Sequence, residues 1–107
     1  EYSNPSKFTL GGFVEQWLRD HAWPNLSPET AQVYEIIANA HIIPALGSIP
    51  LQKLTPERLQ AYYADKLARG RRDGSGGLSP RTVRHHHRLL HVALENAVKW
   101  GLISRKP

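Results

Sequence analysis

The sequence has 107 residues, with 14 lysine and arginine side chains against 9 acidic ones, a formal net charge of +5 and no cysteine. This length is enough for one small domain and not two, and the absence of cysteine excludes disulfides and thiolate metal sites. No apolar run approaches the roughly 20 residues of a membrane-spanning helix, and the basic balance favours nucleic acid or another anionic surface as the partner.

The first predicted helix follows a lead-in that we expect to be flexible, residues 1–7. Thr9 can cap it, and we expect it to end near His21, with Pro24 in the break that follows. Its apolar residues recur at intervals of three and four, which is typical of one buried face. They are Leu10, Phe13, Val14, Trp17 and Leu18.

The second predicted helix begins at Ser27-Pro28-Glu29, which combines a hydroxyl cap, a proline in the first turn and an acid near the positive helix end. We expect Pro44 and Gly47 to end it, and residues 44–54 to form an irregular connector packed on the core. Its predicted buried side consists of Val33, Ile36, Ile37 and Ala40.

The third predicted helix has the same start signal at Thr55-Pro56-Glu57 and ends at Gly70. A basic loop, residues 70–77, follows it. The predicted buried stripe consists of Leu59, Tyr62, Tyr63 and Leu67. We interpret both tyrosines as packing residues and not as nucleophiles, because no base or oxyanion cluster lies near them in sequence.

The fourth predicted helix begins at Ser79-Pro80 and runs to about Trp100, with Gly101 as its cap. On a helical wheel one narrow arc is apolar and forms the core face. This arc consists of Val83, Leu90, Leu94 and Ala97. Four helices and no convincing strand predict an all-α fold.

The opposite side of the fourth helix is cationic. Arg81, Arg84, His85 and Arg88 follow the i, i+3, i+4, i+7 spacing, so they form a stripe along the helix. The second and third helices place an acid after the proline, whereas this helix places Arg81 there, which costs roughly a few tenths of a kcal/mol. An exposed helix start with a hydroxyl and an arginine suits a phosphate group. The alternative is a solvated charged face.

Three consecutive histidines follow the first arginines of this helix. His85 lies nearest the stripe and is a candidate DNA contact, whereas His86 and His87 are predicted at the boundary of the core. His87 and His91 have the spacing of a helical metal site, but they lack the glutamate of the zinc-protease motif, and only Glu95 is a candidate third ligand. We therefore predict no metal site and no cofactor.

Two stretches, IIPALGSIPLQKLTPE and ALENAVKWGLISRKP, are the most specific part of a longer resemblance that also includes FVEQWL and LSPRTVRHHHRLLHV. The chain resembles the N-terminal core-binding, or SAM-like, domain of phage integrases and other tyrosine recombinases. The resemblance implies a compact four-helix SAM-like orthogonal bundle over residues 8–104. Residues 105–107 would begin a linker to an absent catalytic domain, although the family usually has Asn-Pro where this chain has Lys106-Pro107.

What the resemblance implies for function is a DNA-binding domain that grips one face of a recombination-site duplex. The catalytic domain of the same parent chain would hold the other face and would supply the attacking tyrosine, so this fragment is expected to be catalytically inert. The expected partners are double-stranded DNA and that catalytic domain, with no membrane. We expect a monomer that acts on DNA in the cytoplasm.

Members of this family contact DNA through the starts of the second and fourth helices. Glu29 stands where the family sometimes has a basic residue, which makes the fourth helix the stronger candidate. The expected contacts by position are Ser27, Thr30, Tyr34, Ser79, Arg81, Thr82, Arg84, His85 and Arg88. For Tyr34, the alternative to a DNA contact is a structural role. Secondary phosphate candidates are Lys53, Arg71 and Arg72.

Two rival interpretations predict different chemistry. A helix-turn-helix regulator requires a turn of three or four residues between two helices, which the connectors at 44–54 and 70–78 disfavour. A helical protein-interaction module would use the tyrosine and tryptophan surface, and its affinity would depend little on salt or on the arginine stripe.

Overall fold

The computed structural model describes residues 9–71 and 74–103, and within them the backbone forms four helices. The first helix, α1, comprises Leu10–Trp17, a π-helical turn Leu18–Ala22 and a short end Trp23–Asn25. The second, α2, comprises Pro28–Ile37, a π-helical turn Ala38–Ile42 and Ile43–Leu46. After a 3₁₀ turn, Leu51–Lys53, come α3, Pro56–Arg69, and α4, Pro80–Lys99.

The all-α prediction is confirmed. In the described part of the chain the only β pairing is an isolated bridge between Thr9 and Pro50. None of the described helices is both long and apolar enough to cross a membrane. The predicted lead-in, residues 1–7, and the predicted linker, residues 105–107, lie outside the described residues, as does Arg72.

All four helix starts are confirmed, because each is capped by the hydroxyl that the sequence indicates. The hydroxyl oxygen accepts a hydrogen bond from the backbone N–H three residues later, at 3.1 to 3.3 Å. This bond satisfies one of the N–H groups that have no partner inside the helix. The capping residues are Thr9, Ser27, Thr55 and Ser79.

Two prolines lie inside helices, so the prediction that they interrupt or end them is wrong. Pro24 follows the π turn of α1, and Pro44 follows the π turn of α2. In an α-helix the proline ring clashes with the carbonyl group four residues earlier. Each π turn places one extra residue in the hydrogen-bond ladder directly before the proline, and this wider turn accommodates the ring. The helix α2 therefore continues to its predicted glycine stop, Gly47.

The core lies between α1, α2 and α4, with Leu59 and Tyr62 as the buried residues of α3. The largest fully buried side chains from α1 are Trp17 and Phe13, and α4 adds a run of leucines. The predicted core arc of α4 is confirmed. Its buried residues are Val83, His86, Leu89, Leu90, Ala93, Leu94 and Ala97.

The predicted buried side of α2 is wrong at two positions, because Val33 and Ile36 are 43% and 58% exposed. The face that packs is centred instead on Tyr34, with Ala31, Ile37 and Ala38 beside it. Tyrosine was not counted as a core residue in the wheel, and including it rotates the buried face away from the two β-branched residues.

The predicted stripe of α3 is also wrong at one position, since Leu67 is 47% exposed. The buried residues of this helix, Leu59 and Tyr62, lie in its first half. The second half therefore extends past the core, and it ends at Gly70 as predicted.

The C-terminus of α4 is closed by a Schellman motif. The Gly101 N–H donates to the Val98 carbonyl at 3.1 Å, and the Leu102 N–H donates to the Ala97 carbonyl at 2.9 Å. Gly101 has φ of 77°, a left-handed conformation that costs glycine little. The predicted glycine cap is thus confirmed.

Candidate nucleic-acid interface

The N-terminal half of α4 presents the predicted basic stripe to solvent. Arg81, Arg84, His85 and Arg88 are all exposed, and together with His87 they line an open concavity of about 360 Å³. Across residues 9–71 and 74–103 none of the three guanidinium groups forms an ion pair with a carboxylate. The positive charge of this face is therefore uncompensated within the described structure.

The start of α4 brings hydroxyl groups and an amide close to this stripe. Ser79 Oγ accepts from the Thr82 N–H at 3.2 Å, and the two hydroxyl oxygens lie 3.0 Å apart. Because Pro80 has no N–H, the amide of Arg81 is the first backbone donor within the helix itself. The first turn of α4 contains no acidic residue, so a phosphate here would meet only donors and positive charge.

The start of α2 has the same cap but a different charge. Ser27 Oγ donates to Thr30 Oγ1 at 2.9 Å and accepts from the Thr30 N–H at 3.2 Å. Glu29 occupies the first turn. Its carboxylate opposes an incoming phosphate, which makes this end the weaker anion site of the two.

A buried hydrogen bond fixes α4 against α3 directly beneath the stripe. Tyr62 Oη and His86 Nδ1 lie 2.7 Å apart, and both residues are buried, His86 completely. Burial, followed by the charges of His41, Lys66 and His85, lowers the pKa of His86 from 6.5 to about 4. Burial raises the pKa of Tyr62 above its ordinary value, with a smaller contribution from Tyr63. At neutral pH the contact therefore joins a neutral imidazole to a neutral phenol.

The prediction that His86 lies at the boundary of the core is thus wrong, because the residue is fully buried. His87, which was predicted at the same boundary, is exposed. The wheel contained the signal, because His86 lies three residues after Val83 and four before Leu90, inside the apolar arc. Its polar character concealed this position. The His86 Nε2 atom is buried without a hydrogen-bond partner in the described structure.

Tyr34 connects α2 to the stripe from below. Its ring is buried and packs against that of Trp17, with centroids 6.1 Å apart. Burial raises the pKa of Tyr34, and the nearby charge of Arg88 opposes this rise. Among the expected DNA contacts Tyr34 is the one that lies in the core, which favours its structural alternative.

The sequence and the fold of this chain are both similar to those of known proteins. Residues 9–67 match the family model described as phage integrase, N-terminal SAM-like domain. The chain belongs to this family. The solution NMR structure of the phage integrase SAM-like domain from Moorella thermoacetica is 42% identical to this SAM-like domain. That match has a TM-score of 0.75 and covers 99% of this chain and 85% of that one.

Curated relatives of this SAM-like domain are phage integrases. The integrase of Mycobacterium phage L5 is 28% identical over 102 residues, and that of Mycobacterium phage FRAT1 is 26% identical over 102 residues. Each match covers 95% of this chain but only 24% and 27% of the two relatives, respectively. The chain thus spans about a quarter of the length of the integrases it matches.

Two of the secondary phosphate candidates of this SAM-like domain, Lys53 and Arg71, are not among the residues that line the concavity of α4. Lys53 is exposed at the end of the 3₁₀ turn. Arg71 is exposed, and its Nε donates to the Gly77 carbonyl at 2.9 Å, which holds the side chain across the loop before α4. Arg72 lies outside the described residues.

The possible metal ligands on α4 do not form a cluster of three in the described part of the chain. The rings of His87 and His91 stack with centroids 6.1 Å apart, and His91 Nε2 lies 4.0 Å from Glu95 Oε2. The pair has helical spacing but no third ligand among these residues.

Proposed function

We propose that this domain binds the double-stranded DNA of a recombination site through the N-terminal half of α4. It would serve as the DNA-gripping part of an integrase-type tyrosine recombinase, with strand cleavage carried out by the catalytic domain of the parent chain. The domain acts on DNA in the cytoplasm and contributes no catalytic residue or cofactor of its own.

The observation that carries this proposal is the row of three exposed arginines on one helix face that have no carboxylate partner among residues 9–71 and 74–103. An arginine whose charge is neutralised by a neighbouring carboxylate adds little net attraction to a polyanion. An unpaired arginine displaces counterions from the DNA when it contacts a phosphate. The membership of the chain in an integrase domain family supports the same partner.

Within the stripe the residues differ in their expected roles. Ser79, Arg81 and Thr82 surround the helix start and suit backbone phosphates. Arg84 and Arg88 lie further along the same exposed face, where a guanidinium can reach either a phosphate or a guanine edge. Ser27 and Thr30 are secondary contacts, because Glu29 lies between them.

The first experiment titrates the domain with a labelled mixed-sequence duplex and measures fluorescence anisotropy at several salt concentrations. We expect Arg84→Ala to weaken binding and to reduce the salt slope by about one released counterion. If Arg84 reads a guanine edge, about 1–3 kcal/mol of sequence discrimination is lost as well.

Arg58→Ala is the matched control, since it removes the same charge from an exposed site. Arg58 lies on α3, forms no ion pair among the described residues and lies outside the concavity of α4. An equal loss of DNA affinity in the two variants would mean that only the net charge of the domain matters. Unchanged binding in an Arg84→Ala, Arg88→Ala double variant would refute the proposal.

A second candidate function, a helical protein-interaction module, is favoured by one specific surface. Trp23 is 44% exposed and its Nε1 donates to Glu35 Oε1 at 2.7 Å, beside a concavity of about 600 Å³. Ile36 lies exposed further along α2. Backbone NMR shifts at these residues with a protein partner, independent of salt, would favour this function, whereas shifts at residues 79–88 with DNA would favour the first.

A further inference from the structure

The histidine triplet of α4 divides into one buried residue and two that face the DNA-binding side. Successive residues of an α-helix are rotated by about 100°, so three neighbours span about 200° and cannot all point into the core. The buried one is His86. His85 and His87 are exposed, and both line the concavity formed with Arg81, Arg84 and Arg88.

Among the described residues, the groups in contact with the triplet from the neighbouring helices are aromatic, with the cation of Lys66 beside them. On the α3 side the Tyr63 ring lies 5.4 Å from the ring of His87, and Lys66 lies over Tyr62, which bonds His86. On the α2 side the His41 ring lies 5.1 Å from that of His86.

No carboxylate lines the concavity in the described structure. In the described structure the carboxylate that pairs with a histidine of α4 is that of Glu95. It lies 4.0 Å from His91, and neither residue lines the concavity. No anion of the described chain therefore stands ready to partner a protonated His85 or His87.

A DNA backbone would supply that anion. Histidine is the side chain that ordinarily changes charge between pH 5 and 8. Its protonated ring donates from both nitrogens, and a hydrogen bond from a charged donor to a phosphate is stronger than a neutral one. Phosphates held by the three arginines would lie against both exposed rings.

We infer that His87 joins His85 as a phosphate ligand in the protonated form, so that DNA binding takes up protons at these two residues. The inference rests on the proposed function and adds a regulator to it, namely pH. It also assigns a role to each member of the triplet: the middle residue holds the helix, and its two neighbours bind the ligand.

The expected effect is a tighter complex at lower pH. For each proton that is taken up on binding, linkage lowers the dissociation constant by about tenfold when the pH falls by one unit. An average net uptake of about half a proton per complex between pH 8 and pH 6 corresponds to binding roughly tenfold tighter at pH 6 than at pH 8. His86 stays neutral throughout this range, since its pKa is lowered to about 4.

The test measures anisotropy with one mixed-sequence duplex at constant ionic strength from pH 6 to pH 8. His85→Gln, His87→Gln and the double variant keep a polar side chain but cannot titrate. The control is His21→Gln, which removes a half-buried histidine from α1, outside the concavity and on another helix. Circular dichroism at each pH checks the fold, and the single variants replace the double variant if it does not fold.

Calorimetry in two buffers with different ionisation heats counts the protons taken up by the wild-type domain. We expect net uptake, a pH-dependent affinity in the wild type and in His21→Gln, and a much flatter dependence in the double variant. Equal pH dependence in the double variant, or none in the wild type, would overturn the inference while leaving the proposed function standing. Absence of DNA binding at every pH in low salt would overturn both.

Discussion

Acid should destabilise this domain through His86, and the structure gives the magnitude. The pKa of His86 is about 4 in the folded state, against 6.5 for an unperturbed histidine. Each unit of difference corresponds to about 1.4 kcal/mol, so the full effect is about 3 kcal/mol. Because the folded pKa is depressed, this stability is present above pH 6.5 and is lost as the pH falls towards 4. At pH 5 the loss is about 2 kcal/mol.

Urea unfolding monitored by circular dichroism measures this loss. With a denaturant slope of about 1–3 kcal/mol per molar, the midpoint should fall by roughly 0.7–2 M between pH 7.5 and pH 5. Carboxylates also titrate near the acidic end, so the comparison with His86→Gln isolates the histidine. That variant keeps a partner for Tyr62 and should show a flatter pH dependence, while His91→Gln should behave as the wild type.

A direct measurement on the wild-type domain provides the decisive check and does not depend on whether the variant folds. NMR signals of the His86 ring, followed against pH, report its titration in the folded state. A midpoint near 6.5, or an unchanged pH dependence in His86→Gln, would refute the reasoning, because the buried bond to Tyr62 would then not hold a neutral ring.

Two further predictions test the packing. Ile37→Ala should cost about 2–4 kcal/mol of unfolding free energy, whereas Ile36→Ala should stay within about 0.5 kcal/mol, because only the first side chain is buried; comparable urea midpoints would mean that the face of α2 is wrongly oriented. Gly77→Ala should destabilise by about 2 kcal/mol or more, because a β-carbon there overlaps the Leu67 carbonyl oxygen. Gly12→Ala, which meets only the Thr9 hydroxyl at 3.3 Å, is the control and should change stability by less than about 1 kcal/mol, and a tolerated Gly77→Ala in thermal melts would contradict the tight loop.

The helix boundaries that depend on local chemistry were predictable from the sequence. A hydroxyl followed by proline at Ser27, Thr55 and Ser79 marks helix starts because the cap and the first turn involve only neighbouring residues. The glycine stops are equally local. The basic stripe was predictable too, because helical spacing alone places its arginines on one exposed face.

Features that depend on distant partners were not predictable in this way. The continuation of α1 past Pro24 depends on a π turn, which no local signal indicated. The burial of His86 depends on Tyr62, 24 positions earlier, whose hydroxyl satisfies the imidazole inside the core. The packing face of α2 depended on whether Tyr34 or Ile36 turns inward, and only the neighbouring helices decide that.

The bond between Tyr62 and His86 also determines how α4 presents itself to a ligand. The phenol bonds the middle ring of the triplet, and together with the buried leucines of α4 this bond fixes the rotation of the helix about its axis. The side chains of Arg84 and Arg88 therefore extend from fixed backbone positions on α4. Because α4 is a continuous helix before it meets a ligand, we expect side-chain ordering and ion release to dominate the thermodynamics of binding. A rigid platform of this kind favours docking without a folding step.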